Sequence, residues 1–169
     1  MVRTMITAGQ DLYCHQKPGV TGAVVRYKDR NCVLTTQHLL RVGGCVVGDG
    51  VTLNGYKGWV LEIWMDYDLA VIEVQAPSSQ MDFSFLGEPE LGPAYTLHGE
   101  VENHCQIMTM GRTYHYLAFA HTNLPLPGDS GSPVIQKGRV VGVLLSVFYN
   151  NAAGLAASLQ DLPLDLGRR

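Results

Sequence analysis

The chain has 169 residues, 46% of them hydrophobic, a mean hydropathy of +0.05, and 12 Lys and Arg against 15 Asp and Glu for a formal net charge of −3. That length allows one sizeable core or two small ones sharing an interface. Basic residues are scattered, which gives no footprint for nucleic acid, and the apolar stretch 140–149 is interrupted by Gly142 and Ser146, well short of the roughly 18 residues that span a bilayer.

The first residues, Met1-Val2-Arg3-Thr4-Met5-Ile6-Thr7, lack the long apolar core and small-residue cleavage site of a secretory leader. The expectation is a cytoplasmic protein or a piece cut from a larger one. Cys14, Cys32, Cys45 and Cys105 form no C-x-x-C pair and read as reduced, mostly buried thiols. Their spacing does not support a zinc site with His15 or His104, so neither a metal nor a cofactor is expected.

Short runs rich in Val, Ile, Leu, Thr and Tyr, separated by Gly, Asn, Asp and Pro, start at 20–27. The next run, 32–36, leads directly into Gln37-His38-Leu39 and so places a histidine just past a strand. Runs at 45–47, 51–53 and 58–64 follow, and Asp66-Tyr67-Asp68 then puts a carboxylate immediately before the run 69–74. Gln75-Ala76-Pro77-Ser78-Ser79-Gln80 has turn chemistry and no apolar period. The second half repeats the style at 94–98, 106–110, 114–120, 132–136, 140–147 and 154–159, with a short turn expected within 155–166 before Pro163. No segment has a convincing helical period. The reading is all-β: two six-stranded antiparallel barrels, residues 1–74 and 87–169, joined by 75–86, with the functional site between them.

The strongest chemical signal is Pro127-Gly128-Asp129-Ser130-Gly131-Ser132-Pro133-Val134. A nucleophilic serine needs a tight turn that exposes its oxygen and aims nearby N–H groups at a developing oxyanion, and Gly128 and Gly131 permit that backbone. A hydrolase elbow would have Gly at the fifth position and a helix after it; here Ser132, Pro133 and a strand follow. A hydroxyl also needs a base and an orienting carboxylate. His38 and Asp68 fill those parts, with Asp66 the rival carboxylate. His15, His98, His104 and His115 have no motif around them and read as ordinary polar or half-buried residues.

With Leu34-Thr35-Thr36-Gln37-His38, Asp68-Leu69-Ala70-Val71 and Gly128-Asp129-Ser130-Gly131 in the order His, Asp, Ser, nearly the whole chain resembles the chymotrypsin-like serine proteases. The resemblance implies a serine endopeptidase in which Ser130 attacks, His38 moves the proton and Asp68 orients the imidazole. It also implies an oxyanion hole of the Gly128 and Ser130 N–H groups. An extended substrate would pair beside Ser146 and Phe148, with Leu124 and Leu144 facing the pocket for the residue before the cut and His121 as a further lining candidate. Leu124 stands where trypsin-type enzymes carry an acid, which disfavours cleavage after Lys or Arg. The segment Gly128 to Ile135, followed by Gly138-Arg139-Val140-Val141-Gly142-Val143, looks most like the polyprotein-processing proteases of RNA viruses, the arterivirus main proteases in particular. Their acid-selecting histidine has Leu144 in its place here, which favours an apolar or small residue before the cut. The expected partner is a polypeptide, the chain's own polyprotein among the candidates, in the cytoplasm of a host cell. The alternatives are a cellular, bacterial trypsin-like peptidase and an inactive barrel that binds a protein partner.

Overall fold

Along β3 (Ala23–Tyr27), β4 (Arg30–Thr36) and β7 (Leu69–Val74), successive side chains point to two different apolar clusters, not to core and solvent in turn. Val24, Val33, Ala70 and Ile72 face one cluster. Their neighbours Ala23, Val25, Cys32, Leu34, Leu69 and Val71 face another. A strand buried on both faces reads as a near-continuous apolar run, which is how these segments appear in the sequence. In the computed structural model, which describes residues 4–165, these strands lie at one side of a seven-stranded antiparallel sheet. The others are β1 (Asp11–Cys14), β2 (Lys17–Val20), β5 (Gly50–Leu53) and β6 (Tyr56–Trp64), in the order β2-β1-β5-β6-β7-β4-β3.

The second half is a closed antiparallel barrel of six strands. Its members are β8 (Gly92–His98), β9 (Val101–Met110), β10 (Tyr114–Phe119), β11 (Pro133–Gln136), β12 (Arg139–Phe148) and β13 (Ala153–Ser158), in the order β10-β13-β12-β11-β8-β9. Its interior holds Ile107, Leu117, Val134, Val141, Leu144 and Ala156. The cluster on the outer face of β3, β4 and β7 also takes in Val140, Val143, Leu145, Ala157, Leu159 and Leu162, so the two halves share a third core where they meet.

The first half differs from its sequence reading in three ways. It has seven strands rather than six, because β1 and β2 are present as well. Pro18 and Gly19 disguise β2, and a proline is tolerated there because β2 is the edge strand. Residues 45–47 are not a strand: Cys45 is buried, but Val46 and Val47 are 60% and 57% exposed in a loop that follows helix α1 (Gln37–Val42). At six residues, α1 is too short to show a period. The four cysteines are also not all reduced thiols. Cys14 and Cys45 form a disulfide with a Cα separation of 6.4 Å. Cys32 and Cys105 are free and buried, and burial pushes both thiols up to about 12. No helix among the described residues is long and apolar enough to cross a membrane.

Candidate active site

Pairing of β4 with β7 puts Thr36 opposite Leu69, so the residues just after one strand and just before the other come together. They are His38, in the first turn of α1, and Asp68, which closes the short 3-10 turn Met65–Tyr67 with a positive φ of 54°. Aspartate tolerates that left-handed backbone better than most residues. The Gln37 N–H donates to the Asp68 carbonyl at 2.9 Å. The His38 N–H donates to Asp68 Oδ1 at 3.0 Å, and His38 Nδ1 lies 2.6 Å from Asp68 Oδ2. One carboxylate thus holds both the backbone and the ring of His38. In a neutral ring whose Nδ1–H donates to this carboxylate, Nε2 is the free acceptor. Asp66 takes no part: its carbonyl accepts a hydrogen bond from Tyr114 Oη at 2.6 Å, and its carboxylate bonds to no described residue.

The serine turn is closed by its own backbone. The Asp129 N–H donates to Leu126 O at 3.0 Å, the Ser132 N–H donates to Asp129 O at 3.0 Å, and Ser132 Oγ donates to the same carbonyl at 2.5 Å. Gly131 anchors the turn to both halves. Its N–H donates to Leu144 O at 2.7 Å. At φ +100° its Cα packs so closely on the first sheet that a Cβ would lie 2.7 Å from Val20 O and 3.1 Å from Thr35 Oγ1. Thr35 is three residues before His38, so this packing brings Ser130 to the edge that carries the His38–Asp68 pair. The N–H groups of Gly128 and Ser130 bond to no acceptor among the described residues. Ser130 Oγ makes no hydrogen bond to His38 or to any other described residue.

A second histidine with carboxylates supports the turn from below, and it is a feature that sequence reasoning missed. Asp129, buried within the serine turn, accepts the Leu126 N–H at Oδ2 (2.7 Å) and meets His98 Nδ1 at Oδ1 (2.6 Å). The other ring nitrogen of His98 lies 2.7 Å from Asp11 Oδ1. His98 ends β8 of the barrel and Asp11 begins β1 of the first sheet, so this bridge crosses between the halves. Burial works against a charge on His98, but the hydrogen bonds and charges of Asp11 and Asp129 outweigh it and raise the imidazole above its ordinary range. With Asp11 and His98 87 positions apart, no local pattern could have signalled the pair. His115 differs: it is 1% exposed on β10, neither ring nitrogen has a partner among the described residues, and burial depresses its pKa.

Beyond Leu144, whose backbone bonds to Gly131 and Ser132, β12 pairs with β13 alone, which leaves its other edge open beside the serine turn. Ser146 is half-buried on this stretch and Phe148 is 47% exposed. Leu124 and Val147, both half-buried, pack on the barrel core, and Tyr149 Oη donates to Pro125 O at 2.8 Å, tying the end of β12 to the segment that carries Leu124. Leu144 is placed differently from its expected position in the pocket wall. Its side chain is fully buried inside the barrel and offers no surface, while its backbone exchanges hydrogen bonds with Gly131 and Ser132. His121 is exposed and makes no hydrogen bond or ion pair with a described residue. A cleft of about 760 Å³, lined in part by Leu124, Leu126, Asn103, His98 and Asp129, runs below the turn.

No family model and no curated protein matches the chain. Solved structures do. A Nocardiopsis protease superposes with a TM-score of 0.68 at 12% identity, covering 92% of each chain. Thermobifida fusca protease A gives a TM-score of 0.67 at 13% identity over 92% of this chain and 91% of that one. A glutamic-acid-specific serine protease, described as using a histidine triad in substrate binding, gives a TM-score of 0.67 at 11% identity over 92% of this chain and 95% of that one. At such identities the likeness is one of fold, and the fold of this chain is the chymotrypsin-like double barrel.

Proposed function

We propose that the chain is a serine endopeptidase working through an acyl-enzyme, with Ser130, His38 and Asp68 as its catalytic groups. Ser130 Oγ attacks the scissile carbonyl while His38 Nε2 takes its proton, and the same imidazole then gives that proton to the leaving amine. Water, deprotonated by His38, releases the acyl group. Asp68 holds the ring with Nδ1–H inward and stabilises the imidazolium that forms. The Gly128 and Ser130 N–H groups receive the oxyanion; each such donor is worth about 10²–10³ in kcat. Substrate pairs as an added strand on the open edge of β12 near Ser146 and Phe148. The observation that carries this reading is the 2.6 Å His38–Asp68 contact at the sheet edge on which the serine turn packs. An inactive scaffold would not require two unpaired N–H groups beside an unbonded serine hydroxyl.

Leu124 and Val147 offer a charged side chain no partner, and burying one unpaired costs on the order of 1 to 3 kcal/mol. On the walls formed by Leu124 and Val147 we therefore read an apolar or small residue before the cut, with His98, Asn103 and Asp129 of the neighbouring cleft as the groups that would take a polar one. Processing of a polyprotein in a host cytoplasm is the biological setting favoured by the sequence resemblance. The bacterial neighbours in fold favour a second setting, a cellular peptidase. A peptide library digested with the wild type and with Ser130→Ala tests the activity and the specificity together. Cuts after apolar or small residues by the wild type alone are expected. Cuts after Lys, Arg or Glu would reject the pocket assignment, and undiminished cutting by Ser130→Ala would reject the mechanism.

A further inference from the structure

Cys14, His15, Cys45 and Asp49 stand apart from the site above, and their donor atoms all lie within 4.8 Å of one another. We infer that in the reduced chain these four residues form a zinc site, occupied in alternation with the Cys14–Cys45 disulfide.

Two rigid turns build the cluster. Cys14 and His15 come from the two-residue hairpin between β1 and β2, in which His15 and Gln16 both have positive φ, 51° and 65°, the backbone of a tight type I′ turn. Cys45 and Asp49 flank a loop closed by the Asp49 N–H donating to Val46 O at 3.0 Å and the Val46 N–H donating to Asp49 Oδ2 at 2.9 Å. Pairing of Cys14 with Val51 in the β1–β5 ladder holds the turns face to face. The donors are therefore gathered before any ion arrives.

The set suits zinc by type and by size. Two thiolates, one imidazole and one carboxylate form a closed tetrahedral set, and the sulfurs select against Mg²⁺ and Ca²⁺. Ligand bonds of about 2.0–2.3 Å imply donor separations of roughly 3.3–3.8 Å around a tetrahedron. His15 Nε2 and Asp49 Oδ2 are already 2.8 Å apart, so the ion takes the place of the proton they share. The cysteines are 1% and 3% exposed, whereas the side chains of His15 and Asp49 are 53% and 27% exposed, which gives the ion an entry path. The Val46 N–H fixes the Asp49 carboxylate from outside the cluster.

The exchange balances. Two equivalents of a small thiol reduce the disulfide by way of a mixed disulfide, leaving two cysteine thiols and the oxidised reductant. Zn²⁺ binding then releases both thiol protons, and the His15 proton moves to Nδ1. Either state ties β1 to the loop after α1, where the Cys45 N–H donates to Leu40 O at 2.8 Å. The helix that begins with Gln37 and His38 is thus secured at its far end in both redox conditions.

Cobalt and zinc titrations of the chain reduced with a phosphine, then freed of it, test the site. One Co²⁺ per chain is expected, with thiolate charge-transfer absorption and a tetrahedral ligand-field spectrum, displaced by one Zn²⁺; zinc should raise the melting temperature of the reduced chain and not that of the oxidised chain. His15→Asn, which tolerates positive φ, and Asp49→Asn keep both sulfurs and should each weaken Co²⁺ binding by about tenfold or more. A reduced chain that binds no Co²⁺, or binds it without the thiolate band, overturns the inference. So does an affinity unchanged in both His15→Asn and Asp49→Asn.

Discussion

Asp68 touches His38 twice, once at the backbone and once at the ring, so its loss affects the tautomer more than the fold. Asp68→Asn should lower kcat by about 10⁴. Ser130→Ala and His38→Ala should each cost on the order of 10⁶, and the double variant little more, because the two act as one unit. Asp66→Asn should leave kcat within about twofold of wild type, since its carboxylate bonds to nothing in the site. Steady-state kinetics with one peptide substrate checks all five variants, and an Asp66→Asn defect larger than that of Asp68→Asn would reverse the assignment. These residues were legible in the sequence because each sits in a short motif, a strand end followed by His38 or a turn around Ser130. Leu144 was not. Alternation along β12 sends it into the barrel, and a bulge shifts the register between Leu144 and Ser146, which position counting could not see.

At the scale of elements, the serine turn is held by Gly131 above and by Asp129 below, and the lower support depends on His98. The raised pKa of His98 fixes the sign of a pH effect. Its folded value lies above the unfolded value of about 6.5. The stabilisation from the Asp11–His98–Asp129 bridge is therefore fully present below about pH 6.5 and fades as pH rises through the folded value. Thermal melts of wild type and His98→Gln at matched ionic strength should show their widest gap near pH 6 and a narrower one near pH 9. A gap independent of pH would mean that His98 is not protonated between the two carboxylates. The strands themselves were largely readable, because β3, β4, β7 and β12 carry continuous apolar runs. β1, β2 and α1 were not. Each is four to six residues long, β2 contains Pro18 and Gly19, and α1 is held by the Asp68 cap at its start and the Cys14–Cys45 link beyond its end rather than by a helical pattern.

Across the whole molecule, the proposed catalytic groups come from different halves, His38 and Asp68 from the first sheet and Ser130 from the loop before β11. Their alignment depends on the shared core between the halves. Leu145, 2% exposed, belongs to that core together with Leu34 and Leu69. Leu145→Ala should cost about 2–5 kcal/mol of stability by leaving a cavity. It should also lower kcat at temperatures where the protein remains folded, by loosening the fit of one half on the other. Urea unfolding and kinetics on the same preparation test both effects, and lost stability with unchanged kcat would show that the shared core does not set the alignment. The proposed chemistry requires Ser130 to be an activated nucleophile. Covalent labelling with a fluorophosphonate, read by peptide mass spectrometry, tests it most directly. One adduct per chain is expected, on Ser130, absent in Ser130→Ala and strongly slowed in His38→Ala. An unlabelled wild-type chain, or an adduct that forms equally fast in His38→Ala, would contradict it.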